Sequence, residues 1–303
     1  MQPRRVFLKQ SAGFVAAGVF AGQASSTRAD EAPPSRVMGA NAGRIYKSVK
    51  WGMVGEPGSV LDKFLLQKEL GFDGVELDSP TDLDLDEVVS ASRKTEMPVH
   101  GVVDPVHWND RLSSPKEAIR EKGLNALIGA LKDTQHLGGS SVLLVPGRVS
   151  KKAEDDENHD QVWQRSIVEI RKALPLASRL GVRILIENVW NGFCETPDQL
   201  RDYIDEIASP WVGVYFDIGN VRKFGPSENW IRALRHRIVK LDVKDWGKSN
   251  GFCKIGDGDV NWPEVRKALA ETGFSGWCTA EVGGGKKDRL TDIATRMNKV
   301  LAL

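Results

Sequence analysis

Several short apolar runs of this 303-residue chain finish in a carboxylate. "RILIENVW" carries Glu187, "GVYFDIGN" Asp217, "IVKLDVKDW" Asp242 and "GWCTAEVGGG" Glu281, while Glu76 and Asp104 close earlier runs in the same way. A single acid at a strand end reads as the cap of the following helix or as the partner of a nearby lysine. Recurrence on consecutive strands points elsewhere. Strands that neighbour one another bring such acids to one place, and four carboxylates cannot all stay ionised in a partly dry cavity without compensation. A divalent cation is the simplest compensation, and all-oxygen ligation suits Mn²⁺ or Mg²⁺ better than Zn²⁺. Carboxylates around such an ion support proton transfer beside a carbonyl group. Lys240, Asp242 and Lys244 alternate along one run and so share a face. That places Lys244 to offset part of the acid charge or to contact a substrate.

These residues need a scaffold, and the rhythm of the chain supplies one. Strand-like runs occur at 46–54, 74–77, 98–103, 141–145, 183–187, 212–217, 238–243 and 277–282. Between them lie segments such as "SVLDKFLLQKEL", "LDEVVSASRKT", "SPKEAIREKGLNALIGALKDTQHL" and "QVWQRSIVEIRKALPLASRL". Their apolar residues recur at three and four, the period of a helix. Gly71, Gly138, Gly181 and Gly273 follow the helical runs as C-terminal caps. Eight strand–helix units in roughly 260 residues predict a single closed (β/α)₈ TIM barrel. The rival, an open doubly wound sheet, announces itself with a glycine-rich first turn, and no GxGxxG follows any strand here. In a barrel, catalytic groups gather at the C-terminal strand ends, where these acids stand.

Composition narrows the function further. An apolar share of 41%, a charged share of 27% and a net charge of +1 describe a globular protein without the basic footprint of a nucleic-acid binder. Cys194, Cys253 and Cys278 lie far apart and read as free thiols. The N-terminus differs from the rest. Arg4 and Arg5 precede Phe7, Leu8 and Lys9, and a short apolar stretch from Ala12 to Gly22 leads to small residues up to Ala29. This order predicts a twin-arginine (Tat) signal peptide over 1–29, cleaved after about residue 24 to 29. A flexible linker over 30–44 and one catalytic domain over 45–303 follow. The expected location is therefore extracytoplasmic, reached through the Tat export machinery.

The stretches "GFDGVEL", "LVPG", "ILIENVW", "YFDIGNV", "KLDVKDW", "GDGDVNWPEVRKAL" and "GFSGWCTAEV" fall in order over about residues 45 to 285. Through them the chain resembles the sugar phosphate isomerase/epimerase family with the xylose isomerase-like barrel. The resemblance implies one divalent metal, Mn²⁺ first and Mg²⁺ second, held by Glu187, Asp217, Asp242 and Glu281. It also implies Glu187 and Glu281 as the acid–base pair acting on a ketose through an enediolate. Two positions depart from the family: Asp242 stands where a metal-binding His is usual, and Asn220 where many epimerases carry a substrate-binding His.

Expected substrate contacts are Asn220, Lys244, Trp190, Trp246, His107 and Trp108, the aromatic ones as platforms for a sugar face. Trp51 also lies near a strand end, His100 reads as structural, and His159 falls in an acidic loop. His236 precedes its strand, at the wrong end of the barrel. Two alternatives stay open beside the isomerase or epimerase. One is an exported 3-keto-glycoside lyase or hydrolase using the same groups. The other is a sugar-binding barrel that has lost its metal. The related endonuclease branch is set aside because the histidines do not stand at the right strand ends. A homo-oligomer is compatible with all of these readings.

Overall fold

The computed structural model describes residues 39–152 and 157–303. The twin-arginine stretch, residues 30–38 of the expected linker and the acids of 153–156 lie outside the described residues. Just before the first strand the structure departs from a free linker. The Asn41 side chain donates to the Leu301 carbonyl at 2.8 Å, and its backbone N–H to that of Ala302 at 3.2 Å. The approach to the first strand is thereby tied to the end of the last helix.

The strands are β1 (Ile45–Lys50), β2 (Gly74–Asp78), β3 (Val99–Val103), β4 (Ser141–Leu144), β5 (Arg183–Glu187), β6 (Val212–Asp217) and β7 (Ile238–Val243). A short antiparallel hairpin, β8 (Asp245–Gly247) and β9 (Gly251–Cys253), precedes β10 (Gly276–Ala280). All but the hairpin pair in parallel and close in the order β1-β10-β7-β6-β5-β4-β3-β2, the (β/α)₈ TIM barrel expected. The helices are α1 (Val60–Glu69), α2 (Leu85–Thr95), α3 (Glu117–His136), α4 (His159–Leu180), α5 (Pro197–Ile207), α6 (Ser227–Leu234), α7 (Trp262–Glu271) and α8 (Lys287–Leu301). Their ends follow local chemistry. Ser59 with Asp62, Asn158 with Gln161 and Thr196 with Gln199 form capping boxes at α1, α4 and α5. Gly71, Gly138, Gly181 and Gly273 follow their helices with φ of 77°, 78°, 70° and 69°, a conformation in which a side chain would be strained.

Three expectations are corrected. The first strand ends at Lys50 instead of running to residue 54, because Trp51–Met53 turns in a 3₁₀ helix and only Val54 bridges again, to Gly285. Trp51 packs on Phe64 with ring centres 5.7 Å apart and joins the core. His159 opens α4 and packs against Phe193 at 5.1 Å instead of lying in a loop.

The barrel interior is polar in its middle. Period-two alternation puts residues i and i+2 of a strand on one face, and four strands use it identically. Ser48 and Lys50, Tyr215 and Asp217, Lys240 and Asp242, and Thr279 and Glu281 each place one group in a lower tier and one in an upper tier. The lower tier is a continuous relay. Lys240 Nζ donates to His100 Nδ1 at 2.9 Å and to its carbonyl at 2.6 Å. His100 Nε2 lies 2.8 Å from Ser48 Oγ, which lies 2.8 Å from Thr279 Oγ1. Thr279 Oγ1 is 2.6 Å from the Tyr215 hydroxyl, which donates to Glu76 Oε1 at 2.9 Å. One consistent set of donors runs from ammonium to carboxylate if His100 is neutral and protonated on Nε2. Burial, with Lys240 beside it, lowers the His100 pKa well below its ordinary value and so keeps the ring neutral. Burial also lowers Lys240 to about 7, against the opposing pull of Glu76. Gly101 is required here: a Cβ would meet the Ser141 carbonyl at 2.6 Å and Lys240 Nζ at 2.9 Å.

Tyr215→Phe breaks this relay by leaving Glu76 without its donor in a site closed to water. The expected cost is about 1–3 kcal/mol of stability in urea unfolding. Tyr46→Phe, at an exposed ring, serves as the control. Equal midpoints for the two variants would show that the relay does not hold the barrel.

Candidate active site

The upper tier gathers at the C-terminal rim. Glu187, Asp217, Asp242 and Glu281 each offer an oxygen, and these oxygens all lie within 4.8 Å of one another. Glu187 ends β5, Asp217 ends β6, Asp242 is the next-to-last residue of β7, and Glu281 follows β10 directly. Asp217 and Asp242 are fully buried.

Asp217 does two things at once. Its Oδ1 accepts the backbone N–H groups of Gly219 and Asn220, each at 2.8 Å, and so caps the 3₁₀ turn that follows β6. Its Oδ2 faces the cluster, 3.1 Å from Lys244 Nζ. Asn188 clamps the strand end by bonding both the N–H and the carbonyl of Asp217 at 2.9 Å. Of the other strand-end acids, Glu76 belongs to the tier below, and Asp104 caps the turn after β3 by accepting from Val106 N–H at 3.1 Å.

Two lysines face the four acids. Lys244 ion-pairs with Asp217 and Glu281, as its place beyond Asp242 suggests. Lys50 is the group that sequence reasoning missed. Its Nζ lies 3.1 Å from Asp242 Oδ2 and 2.7 Å from Glu281 Oε1. Running the first strand to residue 54 left Lys50 in mid-strand, whereas it stands at the true strand end, two residues beyond the inward-facing Ser48.

The charges sort the protonation states. Burial opposes the charge of Lys50, yet Asp242 and Glu281 raise its pKa well above the ordinary value, and Lys244 is raised by Asp217 and Glu281 against the same opposition. Burial pushes Glu281 up, but Lys50 and Lys244 outweigh it and hold the carboxyl down to about 2. Glu187 goes the other way, raised well above its ordinary value by burial and by the charge of Glu281. Burial pushes Asp217 up to about 6 against Lys244, and burial raises Asp242 well above its ordinary value against Lys50.

The donor set fits a divalent cation. Four carboxylates against two ammonium groups leave two negative charges when all are ionised. Asp242 Oδ1 is also buried without a hydrogen-bond partner, an orphan that a cation satisfies. All-oxygen donors of this kind suit Mg²⁺ or Mn²⁺.

A cavity of about 280 Å³ opens above the cluster, lined among others by Lys50, Glu187, Asn220, Lys244 and Glu281. His107, Trp108 and Trp190 also line it. His107 Nδ1 accepts from Val145 N–H at 3.3 Å, which leaves Nε2 as an unpartnered donor. Burial, aided by Lys50, lowers this ring to about 3, so it stays neutral. Asn220 donates to the Asn188 carbonyl at 3.0 Å and reaches Glu187 at 3.5 Å. Trp190 donates to the Asn220 carbonyl at 2.7 Å. Trp246 reaches the site through Trp190, whose ring it meets edge-on at 6.0 Å. Phe252 of the hairpin also lines the cavity and was not anticipated, since the hairpin itself carries no alternating apolar signal.

A closed parallel barrel with acid–base and cation-compatible groups on its C-terminal rim is the architecture of a TIM-barrel enzyme. More narrowly, the chain belongs to the xylose isomerase-like TIM barrel family, which matches residues 64–299. It is 26% identical over 230 residues to L-ribulose-5-phosphate 3-epimerase UlaE of Salmonella heidelberg, covering 71% of this chain and 79% of that one. It is 24% identical over 181 residues to an uncharacterised protein of Methanocaldococcus jannaschii, spanning 56% of this chain and 59% of that relative's length. Among solved structures, 3-keto-D-glucoside 4-epimerase YcjR from E. coli superposes with a TM-score of 0.72 at 17% identity, covering 85% of this chain and 99% of that one. An L-ribulose 3-epimerase gives a TM-score of 0.72 at 16% identity, with 85% and 94% covered. These structural likenesses establish the fold. The Salmonella relative and both of these solved structures are named as sugar epimerases.

Two outcomes follow from the geometry. Lys50→Met leaves Asp242 and Glu281 without their shared counter-charge, which is expected to cost the metal-free protein at least about 2 kcal/mol. Adding Mn²⁺ should then restore more stability to the variant than to the wild type; equal gains in thermal unfolding would remove Lys50 from the charge balance. The second concerns Asp104, which burial pushes up to about 7 despite its hydrogen bonds from Val106 and His107. Between about pH 4 and 7 the native chain keeps a proton that the unfolded chain has lost, so this residue's contribution to stability falls as pH rises and levels off above 7. Asp104→Asn retains the cap and removes the titration. The stability of wild type minus variant should therefore decline across that window, and a flat difference refutes the assignment.

Proposed function

We propose that this chain is a divalent-metal-dependent epimerase or isomerase acting on a ketose or related keto-sugar through an enediolate. The observation that carries the reading is the convergence of four carboxylates beneath a cavity lined by His107, Trp108, Trp190 and Asn220. Held by Glu187, Asp217, Asp242 and Glu281, the cation would polarise the ketose carbonyl and offset the charge that develops on its oxygens.

The chain's own groups account for the rest. Glu187 and Glu281 stand three strands apart around the barrel rim and both line the cavity. In the metal-free chain Glu281 is held ionised and Glu187 favours its proton, a difference that a shared cation would reduce by favouring the carboxylate form of both. In one direction Glu281 takes the proton from the carbon beside the carbonyl and Glu187 returns one, and the roles exchange in reverse. Return to the opposite face of the same carbon epimerises; return to the neighbouring carbon isomerises. His107 Nε2–H, the Asn220 amide and Lys244 supply donors for sugar oxygens. Trp190 and Trp108 offer flat apolar faces at the mouth, both with exposed rings. The reading includes export of the folded protein by the Tat pathway, for which the order of residues 4–29 is the support.

The test is metal content of the purified protein after exposure to Mn²⁺, Mg²⁺ and Zn²⁺, followed by deuterium uptake from D₂O into a panel of ketoses. About one equivalent of Mn²⁺ or Mg²⁺ is expected, lost on Asp242→Ala. Exchange should fall by about 10²-fold or more in Glu187→Gln and in Glu281→Gln. Sugar binding without metal or exchange would make the chain a binding barrel instead.

A further inference from the structure

The two lysines at the rim do not hold the acids in the same way. Lys50 Nζ donates to Asp242 Oδ2 at 3.1 Å and to Glu281 Oε1 at 2.7 Å, and among the described residues it hydrogen-bonds to no other group. Lys244 Nζ stands beside Asp217 Oδ2 at 3.1 Å and beside Glu281 Oε2. Both of those oxygens are nevertheless buried without a hydrogen-bond partner, as is Asp242 Oδ1. Lys244 thus offers them charge without aligned N–H groups, whereas a well-seated ammonium offers both.

Three of the acids therefore divide their oxygens alike. Asp217 gives Oδ1 to two backbone N–H groups, while Asp242 and Glu281 give Oδ2 and Oε1 to Lys50. One oxygen of each is left over, and Lys244 covers two of these three. An ammonium and a divalent cation cannot share them. Both are positive, and a ligand oxygen stands only about 2.0–2.1 Å from Mg²⁺, well inside the contact distance of an ammonium.

Lys244 also has a second set of partners. Its Nζ lies 3.4 Å from Asn220 Oδ1 and 5.0 Å from the centre of the Phe252 ring, and both residues line the cavity above the cluster. Its backbone lies just past the end of β7, whereas that of Lys50 is fixed in β1, paired with Glu76 of β2. We propose that Lys244 is the placeholder for the cation: when a divalent cation binds, this ammonium leaves Asp217 and Glu281 for Asn220 and Phe252, while Lys50 stays on Asp242 and Glu281. Lys244 then meets the substrate as a charged donor only in the metal-loaded protein, so the cation binds before the sugar. The inference rests on the cation site proposed above and adds the residue that couples it to the cavity.

Competitive acylation of the full-length chain with acetic anhydride at fixed pH, read residue by residue by mass spectrometry, follows both lysines in the wild type. Exposed Lys122 serves as the internal standard. Saturating Mn²⁺ should raise labelling of Lys244 about tenfold, the change expected when a minor state becomes the dominant one, and leave Lys50 unchanged. In calorimetry Lys244→Met should bind Mn²⁺ about tenfold more tightly than the wild type, because no ammonium has first to be displaced. If that variant does not fold, the wild-type labelling decides alone. Bound Mn²⁺ with Lys244 labelling unchanged overturns the inference and leaves the metal reading standing. An equal rise at Lys50 and Lys244, or equal or weaker Mn²⁺ affinity in a folded Lys244→Met, overturns it as well. Failure of the wild type to bind Mn²⁺ or Mg²⁺ overturns the metal reading itself, and this inference with it.

Discussion

Four carboxylates held within a few ångströms of one another repel, and everything at the rim of this barrel answers that repulsion. Lys50 and Lys244 stand between the acids, each touching two of them. Glu281, touched by both lysines, stays ionised, and Glu187, touched by neither, is driven toward its protonated form. Unequal sharing of two counter-charges thus gives similar side chains opposite protonation tendencies. The same count leaves room for one divalent cation.

That arrangement depends on the tier below it. Inward-facing positions two residues before Lys50, Asp217, Asp242 and Glu281 carry Ser48, Tyr215, Lys240 and Thr279, and these are joined with His100 and Glu76 in one hydrogen-bonded relay. A barrel filled only by branched apolar side chains would pack as well, but its strands would slide past one another more freely. The relay is directional, since each hydroxyl gives its one proton to the next acceptor. Directionality ties the register of β1, β2, β3, β6, β7 and β10 together directly beneath the acids. The buried ends of the relay, the Lys240 amine and the Glu76 carboxyl group, are costly to leave unpaired and are compensated only when the chain between them is complete.

The mouth of the site is built differently, from loops. The Trp190 ring rests on Phe252 and meets Trp246 edge-on, and its N–H holds the Asn220 carbonyl. The hairpin that carries Trp246 and Phe252 is organised by Asp245, which accepts from Gly256, Val260 and the Trp262 ring. The rim carboxylates are thus fixed by strands, where precision is greatest, while part of the cavity wall sits on a hairpin.

Sequence alone determined the barrel, because strand and helix periods repeat in the chain and the helix ends carry their own capping residues. It also determined the convergence of Glu187, Asp217, Asp242 and Glu281, because they end consecutive strands of a closed sheet. It did not reveal Lys50, since the end of β1 is set by pairing with β2 and β10 and by the turn at Trp51, and nothing local marks it. Nor could it show which acid is ionised: that depends on which lysine reaches which oxygen, a matter of side-chain distance across the barrel. Asp217 looked like a choice between a helix cap and a site residue, and the folded chain made it both, one oxygen for each. The relay likewise exists only in three dimensions, where residues up to 231 positions apart come within hydrogen-bonding reach. Periodicity is a property of neighbours in the chain, whereas charge balance is a property of neighbours in space.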